Sequence, residues 1–72
     1  MTGTVHRLIT RGLADQYGFI TDDAGIDRWF HARDLIGVSF GDLPRGARVE
    51  FEPTVGGRNG QRAAQVRLVS RA

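Results

Sequence analysis

The sequence predicts an all-β fold, a small closed barrel of five short strands. Three observations carry that prediction. Apolar and polar residues alternate with period two in short runs, clusters of turn-forming residues separate the runs, and no segment sustains helical spacing beyond one turn. The 72 residues make one domain spanning 1–72. A chain of this size buries about 60% of the surface its unfolded form exposes, so the core must be small. Closing the sheet on itself removes the strand edges an open sheet would leave.

Thr2 to Ile9 reads as the first strand, with Val5 and either Leu8 or Ile9 as core candidates. Its apolar positions do not alternate strictly, which predicts a bulge or a strong bend. Thr10 to Gln16 is a loop, and Tyr17 to Thr21 is the second strand. Asp22-Asp23-Ala24-Gly25 is dense in turn formers and predicts a hairpin into a third strand, Arg28 to His31. Ala32 to Leu35 is long enough for a single helical turn, with Gly37 available to end it. Val38 to Leu43 is a connection carrying an isolated Phe40, and Pro44-Arg45-Gly46 is a turn signal. In Ala47 to Glu52, Val49 and Phe51 alternate with Arg48, Glu50 and Glu52, as a half-buried strand requires. Pro53 to Gly60 reads as a glycine-rich loop. The last strand is Arg62 to Val69, with Ala64, Val66 and Leu68 expected on one face and Ala63, Gln65, Arg67 and Val69 on the other.

The functional signal lies in the second and third strands. If Ile20 and Phe30 point into the core, then Tyr17, Phe19, Trp29 and His31 all point outward. The inverted sheet would expose Ile20 and Phe30 and leave a poorer core. Large planar side chains set together on an exposed face call for a partner. Unpaired bases of a single-stranded nucleic acid are the partner whose shape fits.

Composition narrows the alternatives. The formal charge is +2 and all ten basic residues are arginine, a balance too weak to grip a duplex by its phosphates alone. Arg7, Arg33, Arg58 and Arg62 are the candidates for guiding a phosphate backbone, although a solvated charge is the ordinary state of a surface arginine. There is no cysteine, so neither a disulfide nor a thiolate metal site is expected. His6 and His31 are too few for a metal centre. Glu50 with Glu52 reads as a solvated strand face, and Asp22 with Asp23 as turn formers, rather than as catalytic or metal-binding pairs. No hydroxyl, base and acid constellation is visible. The expectation is therefore no enzyme, no cofactor, no metal and no small-molecule substrate. No apolar run has the length of a membrane span, and Met1-Thr2-Gly3-Thr4 does not have the form of a secretory signal. A cytoplasmic monomer is expected.

In order, Gly3-Thr4-Val5, Tyr17-Gly18-Phe19-Ile20, Phe30-His31, Gly37 with Phe40 and Leu43, Gly46 to Phe51, and Arg62-Ala63-Ala64-Gln65-Val66 resemble the cold-shock domain over essentially the whole chain. Tyr17-Gly18-Phe19-Ile20 is similar to the first ribonucleoprotein-type motif of that family, and Trp29-Phe30-His31 to the second. The resemblance implies a five-stranded antiparallel barrel of the oligonucleotide/oligosaccharide-binding (OB) type. It implies binding of single-stranded RNA or DNA with little sequence preference, and a role as an RNA chaperone or as a modulator of transcription and translation under stress. It also implies that Phe40 joins the binding face, whereas a large apolar ring in a connection is more often a lid packed on the barrel end. The chain departs from the family in strand one, where His6-Arg7-Leu8 stand in place of Lys-Trp-Phe. Asp15 replaces the usual basic residue before the first motif, Ala32 replaces a phenylalanine, and Trp29 stands where phenylalanine is common. The alternative reading is a protein-interaction module that docks a partner on the same aromatic face, its nucleic-acid role having decayed with the strand-one tryptophan.

Overall fold

Strands β1 (Thr2–Thr10), β2 (Gln16–Asp22), β3 (Asp27–His31), β4 (Arg48–Thr54) and β5 (Arg62–Leu68) follow one another in the computed structural model, which describes residues 1–12, 15–56 and 60–69. Two short 3-10 turns, Ala32–Asp34 and Phe40–Asp42, occupy the connection from β3 to β4. The strands close a barrel in the order β1-β2-β3-β5-β4. Every seam is antiparallel except β3 with β5, which meet in parallel at Trp29 and Arg62. The five-stranded, all-β barrel of OB type is the architecture the sequence predicts.

Val5, Ile20, Phe30, Val49, Ala63 and Val66 are fully buried, with Phe51 and Leu43 nearly so. Gly18 lies directly beneath the ring of Phe30. A Cβ there would sit 2.6 Å from the Arg7 carbonyl oxygen and 2.8 Å from that ring. Only glycine lets the β1 backbone and the Phe30 ring approach β2 this closely.

The predicted irregularity of β1 is a β-bulge. Val5 faces Ile20 and Arg7 faces Phe19, so His6 is the extra residue between them. The bulge turns two consecutive side chains, His6 and Arg7, to solvent and returns Leu8 to the core. A second bulge corrects the expected faces of β5. Glu50 faces Arg67 and Glu52 faces Ala64, so two residues of β5 oppose one of β4. Gln65 takes a φ of 50° there. Ala63 and Val66, three apart, are therefore the buried pair, and Leu68 is exposed. Strict alternation cannot foresee an inserted residue. Pro53 and Thr54 also belong to β4 rather than to the following loop, and the turn after β3 ends at Leu35, ahead of Gly37.

Two ion pairs fix the hairpin between β2 and β3. Asp22 is the turn former the sequence suggests, accepting the Ala24 and Ile26 amides at 2.9 Å each. It also holds the Nε of Arg28 at 2.9 Å, with that arginine buried over the ring of Phe51. Asp23 accepts both terminal nitrogens of Arg48, at 2.8 and 3.1 Å, and the hydroxyl of Thr2. Hydrogen bonds from Arg48 and Thr2 hold the Asp23 carboxyl at about 2, against an ordinary 3.8. The Ile26 amide, together with Arg28 and the Ala24 amide, lowers that of Asp22, outweighing the opposing effect of burial. Both carboxylates are depressed in the fold, so their contribution is complete above the ordinary carboxylate range and is lost as pH falls toward 2. Thermal midpoints measured down through that window are expected to fall more steeply for the wild type than for Asp23→Asn. Parallel curves for the two proteins would contradict the assignment.

Candidate functional site

The aromatic face is built by register. Phe19 on β2 lies opposite Arg7 on β1 and opposite Trp29 on β3, and Trp29 lies opposite Arg62 on β5. One cross-strand row therefore reads Arg7–Phe19–Trp29–Arg62, two rings flanked by two arginines. The next row reads Ile9–Tyr17–His31. Because Gly18, Ile20 and Phe30 face inward, both rows lie on the outside of the barrel.

Neighbouring rings along this face are nearly equidistant. Tyr17 is 6.2 Å from Phe19, edge-on, and 6.2 Å from Trp29; Trp29 is 6.2 Å from His31. Phe19, Trp29 and His31 are half-buried, with part of each ring open to solvent. Tyr17 departs from expectation. It is 6% exposed and lies between the rings of Phe19 and Trp29, though it is no member of the interior core cluster. The flanking rings of Phe19 and Trp29 cover it, so it supports the face rather than offering a ring of its own.

Phe40 is the second correction. Its ring is buried in the core, 6.5 Å from the ring of Phe30, and does not reach the outer face. The Phe40–Asp42 turn folds the side chain inward, where an apolar ring gains more from burial than from exposure.

Of the arginines, Arg7 and Arg33 are exposed and make no ion pair among the described residues. Arg62 is paired with Asp34 at 2.8 Å, and its guanidinium carbon lies 5.6 Å over the ring of Trp29. Arg58 lies outside the described residues. His31 is held by the turn that follows it: its Nδ1 accepts the Arg33 amide at 3.1 Å, and its own amide donates to Asp34 at 2.9 Å. The reciprocal capping fixes the ring at the end of β3.

Sequence reasoning leaves His6 out of the site. The β1 bulge places its ring 6.3 Å from Phe19 and its Nε2 3.4 Å from the Asp27 carboxylate, so it extends the aromatic row beyond Phe19. The signal was the broken alternation between Val5 and Leu8, which predicts the bulge but not which side chains it turns outward. Among the described residues, no cluster of His, Asp and Glu is arranged to hold a metal ion. The arrangement offers partly exposed π-faces, two cations at its margin that are unpaired among the described residues, and little net charge, which suits stacking better than ionic capture.

Comparison with known proteins bears on this geometry. Residues 1–69 match the family described as the 'Cold-shock' DNA-binding domain. The chain is also 38% identical over 56 residues to the major cold shock protein CspA of Pseudomonas aeruginosa, an alignment covering 78% of this chain and 80% of that protein.

Proposed function

We propose that this chain, which belongs to the cold-shock domain family, binds single-stranded RNA or DNA by stacking bases on Phe19, Trp29 and His31. Nucleic-acid binding in general comes with the family, whose members are nucleic-acid-binding and non-enzymatic proteins. The observation that carries the finer reading is the outer row Arg7–Phe19–Trp29–Arg62, with its two rings partly exposed to solvent. Every unpaired base offers a π-face and a duplex does not, so such a row selects single strands with little regard to sequence.

Arg7 and Arg33 guide the backbone, joined by Arg58 on the sequence reading alone. A handful of stacking positions corresponds to a footprint on the order of 4–7 nucleotides. Occupying the unpaired strand competes with hairpin formation and shifts that equilibrium by mass action, without a nucleotide cofactor. The chain thus acts as an RNA chaperone or as a modulator of transcription and translation, as a monomer in the cytoplasm.

Salt dependence tests the division of labour between stacking and charge. Few free cations border the rings, so oligothymidine affinity is expected to fall with salt along a log–log slope no steeper than about −2, corresponding to about three phosphate contacts. A slope of about −4 or steeper would assign the binding to phosphates instead.

A further inference from the structure

Arg62 looks from the sequence like a phosphate contact, but its surroundings point elsewhere. Its side chain is 32% exposed and its charge is already met by Asp34 at 2.8 Å. Its Nε is buried with no hydrogen-bond partner, and its guanidinium lies over the indole of Trp29. A cation that is neutralised and two-thirds covered releases few counterions when a strand binds. What it does hold is a ring.

Asp34 is equally committed. It is 9% exposed, and its two oxygens serve different platform residues. Oδ2 accepts the backbone amide of His31 at 2.9 Å, while Oδ1 accepts Nη2 of Arg62 at 2.8 Å. One carboxylate therefore reaches His31 directly and Trp29 through Arg62. Tyr17 and His31 lie 6.2 Å from the indole, and on its β5 side Trp29 and Arg62 are the register pair among the described residues, with the Trp29 amide donating to the Gln61 carbonyl at 3.0 Å.

We propose that Asp34 and Arg62 are positioning residues of the interface, a brace that orders Trp29 and His31 for base stacking. The brace rests on the stacking reading above. Arg62 holds the indole by a cation–π contact and Asp34 holds Arg62 in place. Pre-ordering the rings spares the bound state the cost of fixing them. Arg62 thus contributes to affinity without touching a phosphate.

The test compares wild type, Arg62→Met, Asp34→Asn and the double variant, using oligothymidine as the probe. Four readouts are taken: affinity, salt slope, quenching of Trp29 fluorescence on binding, and the near-ultraviolet circular dichroism of Trp29 in the free protein. Arg62→Met is expected to weaken binding by about threefold to tenfold, leave the salt slope unchanged and alter the free-state Trp29 signal. Asp34→Asn should weaken binding similarly, and the double variant should lose no more than the worse single variant, because the two residues act as one unit. A slope that loses about one phosphate contact in Arg62→Met would make Arg62 a phosphate ligand and overturn the brace. Unchanged affinity in Arg62→Met, or fully additive losses, would overturn it as well. If Asp34→Asn does not fold, Arg62→Met alone decides between these outcomes, since its side chain is partly exposed. An unquenched Trp29 in the wild type would instead overturn the stacking reading, and the brace with it. Quenching that survives in an undiminished Arg62→Met complex removes the brace alone.

Discussion

Removing the two rings of the central row, Phe19→Ala with Trp29→Ala, is expected to cost more oligonucleotide affinity than any other pair of changes to this surface while leaving the barrel folded. A stacked base is worth about 1–3 kcal/mol per aromatic, so each single substitution should weaken binding by about fivefold to 150-fold. The two rings face one another across β2 and β3, so their losses will not simply add. Both rings are half-buried on the outer face, outside the core cluster. Circular dichroism should therefore still report a folded protein. Tyr17→Ala should behave differently, reducing stability along with affinity, because its buried ring supports the others. Anisotropy titrations with a labelled oligothymidine measure all four variants. A double variant that binds like the wild type would remove the aromatic face from the account.

The largest effect on stability is expected from Phe30→Ala. Phe30 is the largest of the fully buried side chains, it covers Gly18, and its ring neighbours Phe40. Emptying such a site costs about 3–5 kcal/mol in lost transfer energy and cavity formation. A domain of this size has only about 4–11 kcal/mol in total. Urea denaturation should show a midpoint lowered by about a third or more of its value, or a chain already largely unfolded in buffer. Gly18→Ala approaches the same point from the opposite side. Its added methyl meets the Arg7 carbonyl oxygen at 2.6 Å, a backbone atom that cannot step aside without disturbing β1. A midpoint unmoved by Phe30→Ala would mean that the barrel is not closed around this ring.

The barrel was legible in the sequence because strands of a one-sided sheet advertise their faces. Ile20, Phe30, Val49 and Phe51 alternate with polar or outward residues and are buried as alternation requires. Alternation fails where the backbone inserts a residue. In β5 the extra residue at Gln65 shifts the buried set to Ala63 and Val66, and nothing local in Ala64-Gln65-Val66 announces it. The outward direction of Phe19, Trp29 and His31 was legible for the same reason as the core. How deeply each ring sits was not, since the burial of Tyr17 depends on neighbours contributed by β2 and β3 together. Phe40 carried no periodicity, being in a connection, and its inward course follows from the Phe40–Asp42 turn. The partner of Arg62 was invisible because Asp34 lies twenty-eight residues away in sequence, across the β3–β5 seam. Charged residues reveal their sign in a sequence but not their company.

The most direct test of the stacking claim uses Trp29, the sole tryptophan of the chain, which lies in the centre of the outer row. Its fluorescence is followed while the protein is titrated with a short oligothymidine, and then with a duplex of similar length. Saturable quenching by the single strand, and none by the duplex, is the result expected of bases stacking on this face. A flat response to the single strand, from protein shown to be folded, would contradict it and turn the aromatic row into a docking surface for another protein.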